Sequence, residues 1–121
     1  MVGRPEGETN MPRFAAYDLA VQAASALRPL LDAINRRDPD LCRQVRRAAS
    51  SVAMCLDEGS QRTGRDRFHL YRVAAGSAAE VRTALTLATT WGYVTVQDAA
   101  PAHALLDRVV AILWRLTHPK C

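Results

Sequence analysis

The sequence predicts an all-α fold, an antiparallel up-down four-helix bundle. Three observations carry that prediction. Apolar residues recur at helical spacing in four segments. Short interruptions rich in turn residues, "RRDPD", "GSQRTGR" and "WGYVTVQD", separate them. No stretch alternates long enough to make a sheet strand. At 121 residues the chain suits one domain with a core that needs no metal or disulfide staples. Residues 1–12 are polar, carry Gly3, Pro5, Gly7 and Pro12, and read as a flexible N-terminal tail; residues 13–118 read as the bundle domain.

The first helix is expected from about Arg13 to Arg36. Pro29 falls inside it, but the apolar period resumes at Leu30, Leu31 and Ile34, so the pattern predicts a kinked helix and not a break. The second helix starts after Asp38, an N-cap residue followed by Pro39 at the first helical position. Its seam, Leu41, Val45, Ala48, Val52 and Cys55, steps by three and four, with Ala49 and Leu56 widening it and Gly59 as the stop. The third helix opens at Thr63, with Asp66 three residues on in a capping-box-like pattern. Leu70, Ala74, Ser77, Val81, Ala84 and Ala88 make its seam, and Gly92 ends it. Its middle, "AAGSAAE", is nearly free of bulk, so another helix could approach there. The fourth helix is expected near Asp98, with Pro101 in the first turn, where amides lack partners anyway. Ala102, Leu106, Val109, Leu113 and Leu116 form its seam, broadened by Leu105 and Ile112; "YVTV" before it reads as loop.

Charge points outward from the fold. Sixteen basic and twelve acidic residues leave a net charge of +4, and Lys120 is the only lysine. From Arg36 to Arg72 nine arginines meet five acids, so this stretch carries the whole excess. Arginine forks suit phosphate. Arg36, Arg37, Arg43, Arg46, Arg47, Arg62, Arg65 and Arg67 are the candidate nucleic-acid contacts. Pairing with the chain's own Asp and Glu is the plainer use of the same residues.

Catalytic signatures are missing. The sequence has no G-x-S-x-G, H-E-x-x-H, Walker loop or G-x-G-x-x-G, and an enzyme built on Glu58, Glu80 and His69 has no spacing to recommend it. Asp57 and Glu58 diverge by about 100° on a helix, and an arginine from the 60s corner is expected to neutralise Glu58. Three cysteines and three histidines are scattered without metal-ligand spacing, so no metal and no cofactor are expected. The polar N-terminus "MVGRPEGETN" carries no signal peptide and no apolar run approaches the roughly 20 residues of a membrane span. A cytoplasmic protein that is not an enzyme is the expectation.

Two helices carry more apolar surface than one seam requires. Val110 and Trp114 lie off the edge of the fourth seam, and Phe68, Ala75, Ala79 and Thr83, with Thr86 and Thr90, make a face on the third helix that is poor in charge, with Arg72 its main charge. Such faces mark contact surfaces, so these residues are the candidate interface of a homo-oligomer.

The ordered set "RAASSVAMCLDEGSQR", "FHLYRVAAGSAAEV" and "WGYV" resembles the four-helix-bundle family of 23S rRNA intervening-sequence proteins, which includes the accessory variability determinant of diversity-generating retroelements. The matching positions are Arg47, Ala48, Ala49, Ser51, Val52, Leu56, Glu58, Gly59, Arg62, Ala74, Gly76, Ser77, Glu80, Gly92, Tyr93 and Val94, in a resemblance running from about Phe14 to Leu116. Among them Glu58, Gly59, Gly76, Ser77 and Glu80 are the structural motif. Two positions depart: Cys55 stands where the family has Asn, and Asp57 where it has Ala. The resemblance implies a bundle that assembles as a homopentamer with a basic surface. It also implies association with nucleic acid, or docking onto a reverse transcriptase in the retroelement branch. From residues and resemblance together, the expected function is a non-catalytic homo-oligomer binding RNA or DNA nonspecifically through arginines. The alternative is a scaffold module that docks a protein partner.

Overall fold

The computed structural model describes residues 12–119. Residues 1–11 of the expected tail lie outside the described residues, and Pro12 is the first residue of a helix. Four helices follow in order: α1 (Pro12–Arg37), α2 (Pro39–Ser60), α3 (Gly64–Thr90) and α4 (Val96–Thr117). Each packs against its neighbours in sequence, and α1 closes the ring against α4. This is an antiparallel four-helix bundle, with no strand among the described residues.

The core forms two layers along the bundle axis, each fed by all four helices. One gathers Leu27, Ile34, Val45, Leu85 and Leu106; the other gathers Leu19, Val52, Leu56, Tyr71, Val109 and Leu113. Alanines such as Ala23, Ala48, Ala78 and Ala102 fill the remaining inward positions and keep the helices close. α1 runs unbroken through Pro29, which is exposed. The hydrogen bond that its missing amide would have given to Ser25 is lost on the solvent side of the helix.

The helix ends depart from expectation in four ways. α2 does not stop at Gly59 but runs to Ser60, with Gln61 as its cap. Gly59 is buried inside the helix: a Cβ there would lie 2.7 Å from Cε1 of Tyr71 and 3.0 Å from its Cδ1. The glycine is a site of close helix approach. At the start of α3, Thr63 makes no side-chain cap hydrogen bond, so the expected capping box does not form. The turn is made instead by Gly64, whose φ of +58° is costly for any residue with a Cβ. α4 begins two residues before Asp98, capped by the Thr95 hydroxyl, which accepts from the Asp98 amide at 3.0 Å. Pro101 therefore sits past the first turn, on the exposed surface.

Gly92, in contrast, ends α3 as expected. With φ at +77°, it donates to the Thr89 carbonyl at 3.1 Å while Tyr93 donates to Ala88 at 2.8 Å. That pair of bonds is a Schellman closure, in which a left-handed glycine lets two orphan carbonyls find amides.

The seams of α2 and α3 also shift. On α2 the core takes Leu56, and Cys55 is only half-buried. On α3 it takes Tyr71, Ala78 and Leu85 in place of Leu70 and Ser77, which lie at the border.

Gly59 and Gly76, which lie past the first turn of their helices, predict opposite substitution effects. Gly76→Ala meets nothing within 4 Å and is expected to gain about 1 kcal/mol from helix propensity. Gly59→Ala drives a methyl into the Tyr71 ring and is expected to lose a net ~1 kcal/mol or more, because overpacking outweighs the same propensity gain. Denaturant midpoints of the two variants should move in opposite directions.

Candidate nucleic-acid interface

The corner between α1 and α2 is a single residue, Asp38, and it is tied three ways. Its amide donates to the Ile34 carbonyl at 2.7 Å. One carboxylate oxygen accepts from the Leu41 amide at 3.0 Å, the N-cap bond that the sequence predicts, and the other accepts from the Tyr93 hydroxyl at 3.2 Å. Burial first, and then the Asp38 carboxylate, raise the Tyr93 phenol above its ordinary pKa of 10.0. The Arg37 guanidinium lies over the Tyr93 ring, 5.6 Å from its centroid.

Around this corner the structure gathers five of the eight candidate arginines. Arg36 and Arg37 close the last turn of α1, where cations complement the helix dipole. Arg43 pairs with Asp40 one turn back on α2. Arg36, Arg46 and Arg47 are exposed and make no ion pair among the described residues. Arg43 and Arg46 line a shallow polar groove of about 150 Å³ between α1 and α2, together with Asp32, Asn35 and Cys42. The Cys42 thiol reaches the Leu31 carbonyl at 3.6 Å, as expected of a reduced cysteine at the core's edge.

The other three arginines sit elsewhere. α2 has 22 residues and is about 33 Å long, so Arg62, Arg65 and Arg67 lie at the far end of the bundle from Arg36 and Arg43. Arg62 pairs with Glu58 at 3.2 Å, the neutralising arginine expected for that carboxylate. Arg67 reaches back from α3, donating from Nε to the Gly59 carbonyl at 3.1 Å and from Nη2 to the Ser60 carbonyl at 3.3 Å. Its guanidinium caps the C-terminus of α2. Arg65 is exposed and makes no ion pair among the described residues. No continuous patch holds all eight.

The candidate interface residues also separate. Ala79 and Thr83 line an open groove of about 320 Å³ between α2 and α3, with Leu41, Gln44, Gly76 and Glu80. Among the described residues nothing lies within 4 Å of where a Cβ on Gly76 would stand, so its smallness serves no packing among them. Glu80 is exposed and makes no ion pair among the described residues, although an arginine from a neighbouring helix is a natural partner for it. Ala75 and Val110 are half-buried against the chain's own core, whereas Phe68 and Trp114 remain exposed at 40% and 59%. The threonine hydroxyls of α3 turn back on its own carbonyls: Thr86 donates to Arg82 and Thr90 to Thr86.

Ser77 and Ser51 meet across α2 and α3, the Ser77 hydroxyl donating at 3.0 Å, and Ser51 lies 3.7 Å from the Cys55 sulfur. Ser77, read from the sequence as a seam residue of α3, is thus a cross-helix hydrogen-bond partner at the border of the core. Tyr71 and the second role of Asp38 escape the sequence reading. A seam of 71, 74, 78, 81, 85 and 88 is as periodic as the one first read, and only the room at Gly59 distinguishes them. Among the described residues no three His, Cys, Asp or Glu side chains lie together as a metal site, and no helix is long and apolar enough to cross a membrane.

Comparison with known proteins places this geometry. The family model described as 23S rRNA-intervening sequence protein matches residues 13–115. No curated protein matches the chain. Among solved structures, the chain is similar to the crystal structure of a protein of unknown function from the S23 ribosomal protein family of Bacteroides thetaiotaomicron. The TM-score is 0.77 at 17% identity, covering 85% of this chain and 98% of that one. That likeness is one of fold.

Two measurements check the corners. Arg67→Ala should lower stability by about 1–2 kcal/mol through loss of two charge-assisted bonds, while Arg65→Ala stays within about 0.5 kcal/mol. For Tyr93, the unfolded phenol ionises near 10.0 while the folded one holds its proton to higher pH. Its contribution is therefore intact below that pH and lost as pH rises through the folded value. Tyr93→Phe should abolish this part of the alkaline decline in a pH series of denaturant melts.

Proposed function

The chain belongs to the 23S rRNA-intervening sequence protein family, and from that premise we propose that it is a non-catalytic, self-associating bundle that holds nucleic acid by its phosphate backbone. The observation that carries the reading is the α1–α2 corner, where Arg36, Arg46 and Arg47 are exposed to solvent without a carboxylate partner among the described residues. Guanidinium forks on rigid helices suit phosphate oxygens, and contacts of this kind read no bases. Binding is therefore nonspecific, to RNA or DNA alike. A family whose name refers to 23S rRNA is in keeping with an RNA partner.

A non-catalytic role is favoured by what the polar side chains are already doing. Ser77 gives its hydroxyl to Ser51, and Glu58 gives its carboxylate to Arg62. Self-association, to a pentamer by the family resemblance, is supported by the α2–α3 groove, whose small residues Gly76, Ala79 and Thr83 admit a neighbouring helix. A ring would multiply the basic corner and deepen its field. The same groove favours a second reading, in which it docks a protein partner such as a reverse transcriptase. The free thiols of Cys42 and Cys55 suit a reducing cytoplasm.

A mobility-shift titration across salt is the test. Wild-type protein should retard RNA with an affinity that falls steeply with salt. Arg46→Ala/Arg47→Ala should weaken it for every sequence and reduce the salt slope by about two. No retardation at about 50 mM salt with micromolar protein would sink the reading. A partner recovered after nuclease treatment would favour the docking role.

A further inference from the structure

One end of the bundle carries a feature that backbone contact does not use. Trp114 is 59% exposed, and its indole stacks on the imidazole of His118 with ring centroids 3.3 Å apart and planes 19° from parallel. The imidazole is held in place through Nδ1, 3.0 Å from the Trp114 carbonyl and 3.2 Å from the Thr117 hydroxyl. On α3, Phe68 is 40% exposed, with the Arg72 guanidinium 5.9 Å from its ring centroid.

These groups share one face. Arg82 of α3 and Asp107 of α4 form an ion pair at 3.3 Å, which sets the antiparallel register of the two helices. Moving about 10 Å from that pair, along both helices, brings Ala75 level with Trp114. One further turn brings Arg72 level with His118, and Phe68 follows. The result is a stripe of aromatic rings and guanidinium groups along the seam between α3 and α4, with Arg65 beyond it. The nearby acids do not neutralise it. Asp107 is engaged by Arg82, and Asp66 lies two positions from Phe68, about 200° around α3.

We infer that this stripe is a stacking platform for the unpaired bases of a single-stranded nucleic acid, with Trp114 at its centre. The inference deepens the nucleic-acid reading above and rests on it. Two properties select this occupant. Exposed aromatic faces beside unpaired arginines match a strand that presents flat bases and phosphates together. A duplex hides its base faces in its own stack and has none to offer.

The chain has two tryptophans, so Trp91→Phe leaves Trp114 as the only one. In that background, a single-stranded oligoribonucleotide of about 12 nucleotides should quench the Trp114 emission, and a duplex of the same sequence should not. Trp114→Ala and Phe68→Ala should each weaken single-strand binding by about ten-fold with the salt slope unchanged, since stacking releases no counterions. Arg46→Ala/Arg47→Ala should lower the slope and leave the quench at saturation intact. Emission unchanged at saturation, with a mobility shift still present, overturns the platform and spares the nucleic-acid reading; no binding by either measure overturns both. A Trp114→Ala variant that keeps its RNA affinity but loses oligomeric mass in light scattering assigns the stripe to a second copy, and the inference fails.

Discussion

The missing side chain at Gly59 is the constraint on which the rest of this bundle depends. A single methyl there would stand 2.7 Å from the Tyr71 ring, so α2 and α3 can meet at this depth only because nothing projects from that position. The contact seats Tyr71 in the core and thereby fixes the rotation of α3. It also leaves the Gly59 carbonyl where the Arg67 guanidinium, one turn before Tyr71, can reach it at 3.1 Å. One glycine thus sets helix spacing, helix rotation and the capping of its own helix end. The Ser77–Ser51 bond, about two turns away on the same pair of helices, extends this register toward the middle of the bundle.

That geometry sorts the arginines. Arg67 is committed to helix-end carbonyls and Arg62 to Glu58, while Arg37 lies over Tyr93 beside the helix corner that Asp38 ties. Arg36, Arg46, Arg47 and Arg65 remain in solvent with no opposing carboxylate among the described residues. A charge in solvent contributes little to stability, whereas the same charge without an internal partner is available to an external one. The basic residues separate into two ends about 30 Å apart, a spacing that the nucleic-acid reading proposed above requires an elongated ligand to span.

Much of the fold was legible because helical periodicity and helix punctuation are local. The Asp38-Pro39 start of α2 and the Gly92 close of α3 are set by residues within one turn of the event they control. The misses share a different origin. Gly59 reads as a stop because glycine commonly ends helices, yet here the reason for glycine lies on another helix. The seam of α3 has two equally periodic solutions, one through Leu70 and Ser77 and one through Tyr71 and Ala78, and no local signal decides between them. Thr63 carries a capping sequence but makes no capping bond, since the turn into α3 is governed by the positive φ of Gly64.

The candidate site divides along the same line. Sequence alone determined the number of helices, their approximate limits, and that the arginines concentrate between Arg36 and Arg72, because each of these follows from residue type and spacing along one chain. Only the tertiary structure decided which arginines are occupied, that they lie at two ends and not in one patch, and that Arg72 lies over Phe68 while Trp114 stacks on His118. Partnership between side chains distant in sequence depends on helix rotation and antiparallel register. Those are set by packing contacts such as Gly59 on Tyr71, which no period within a single helix encodes.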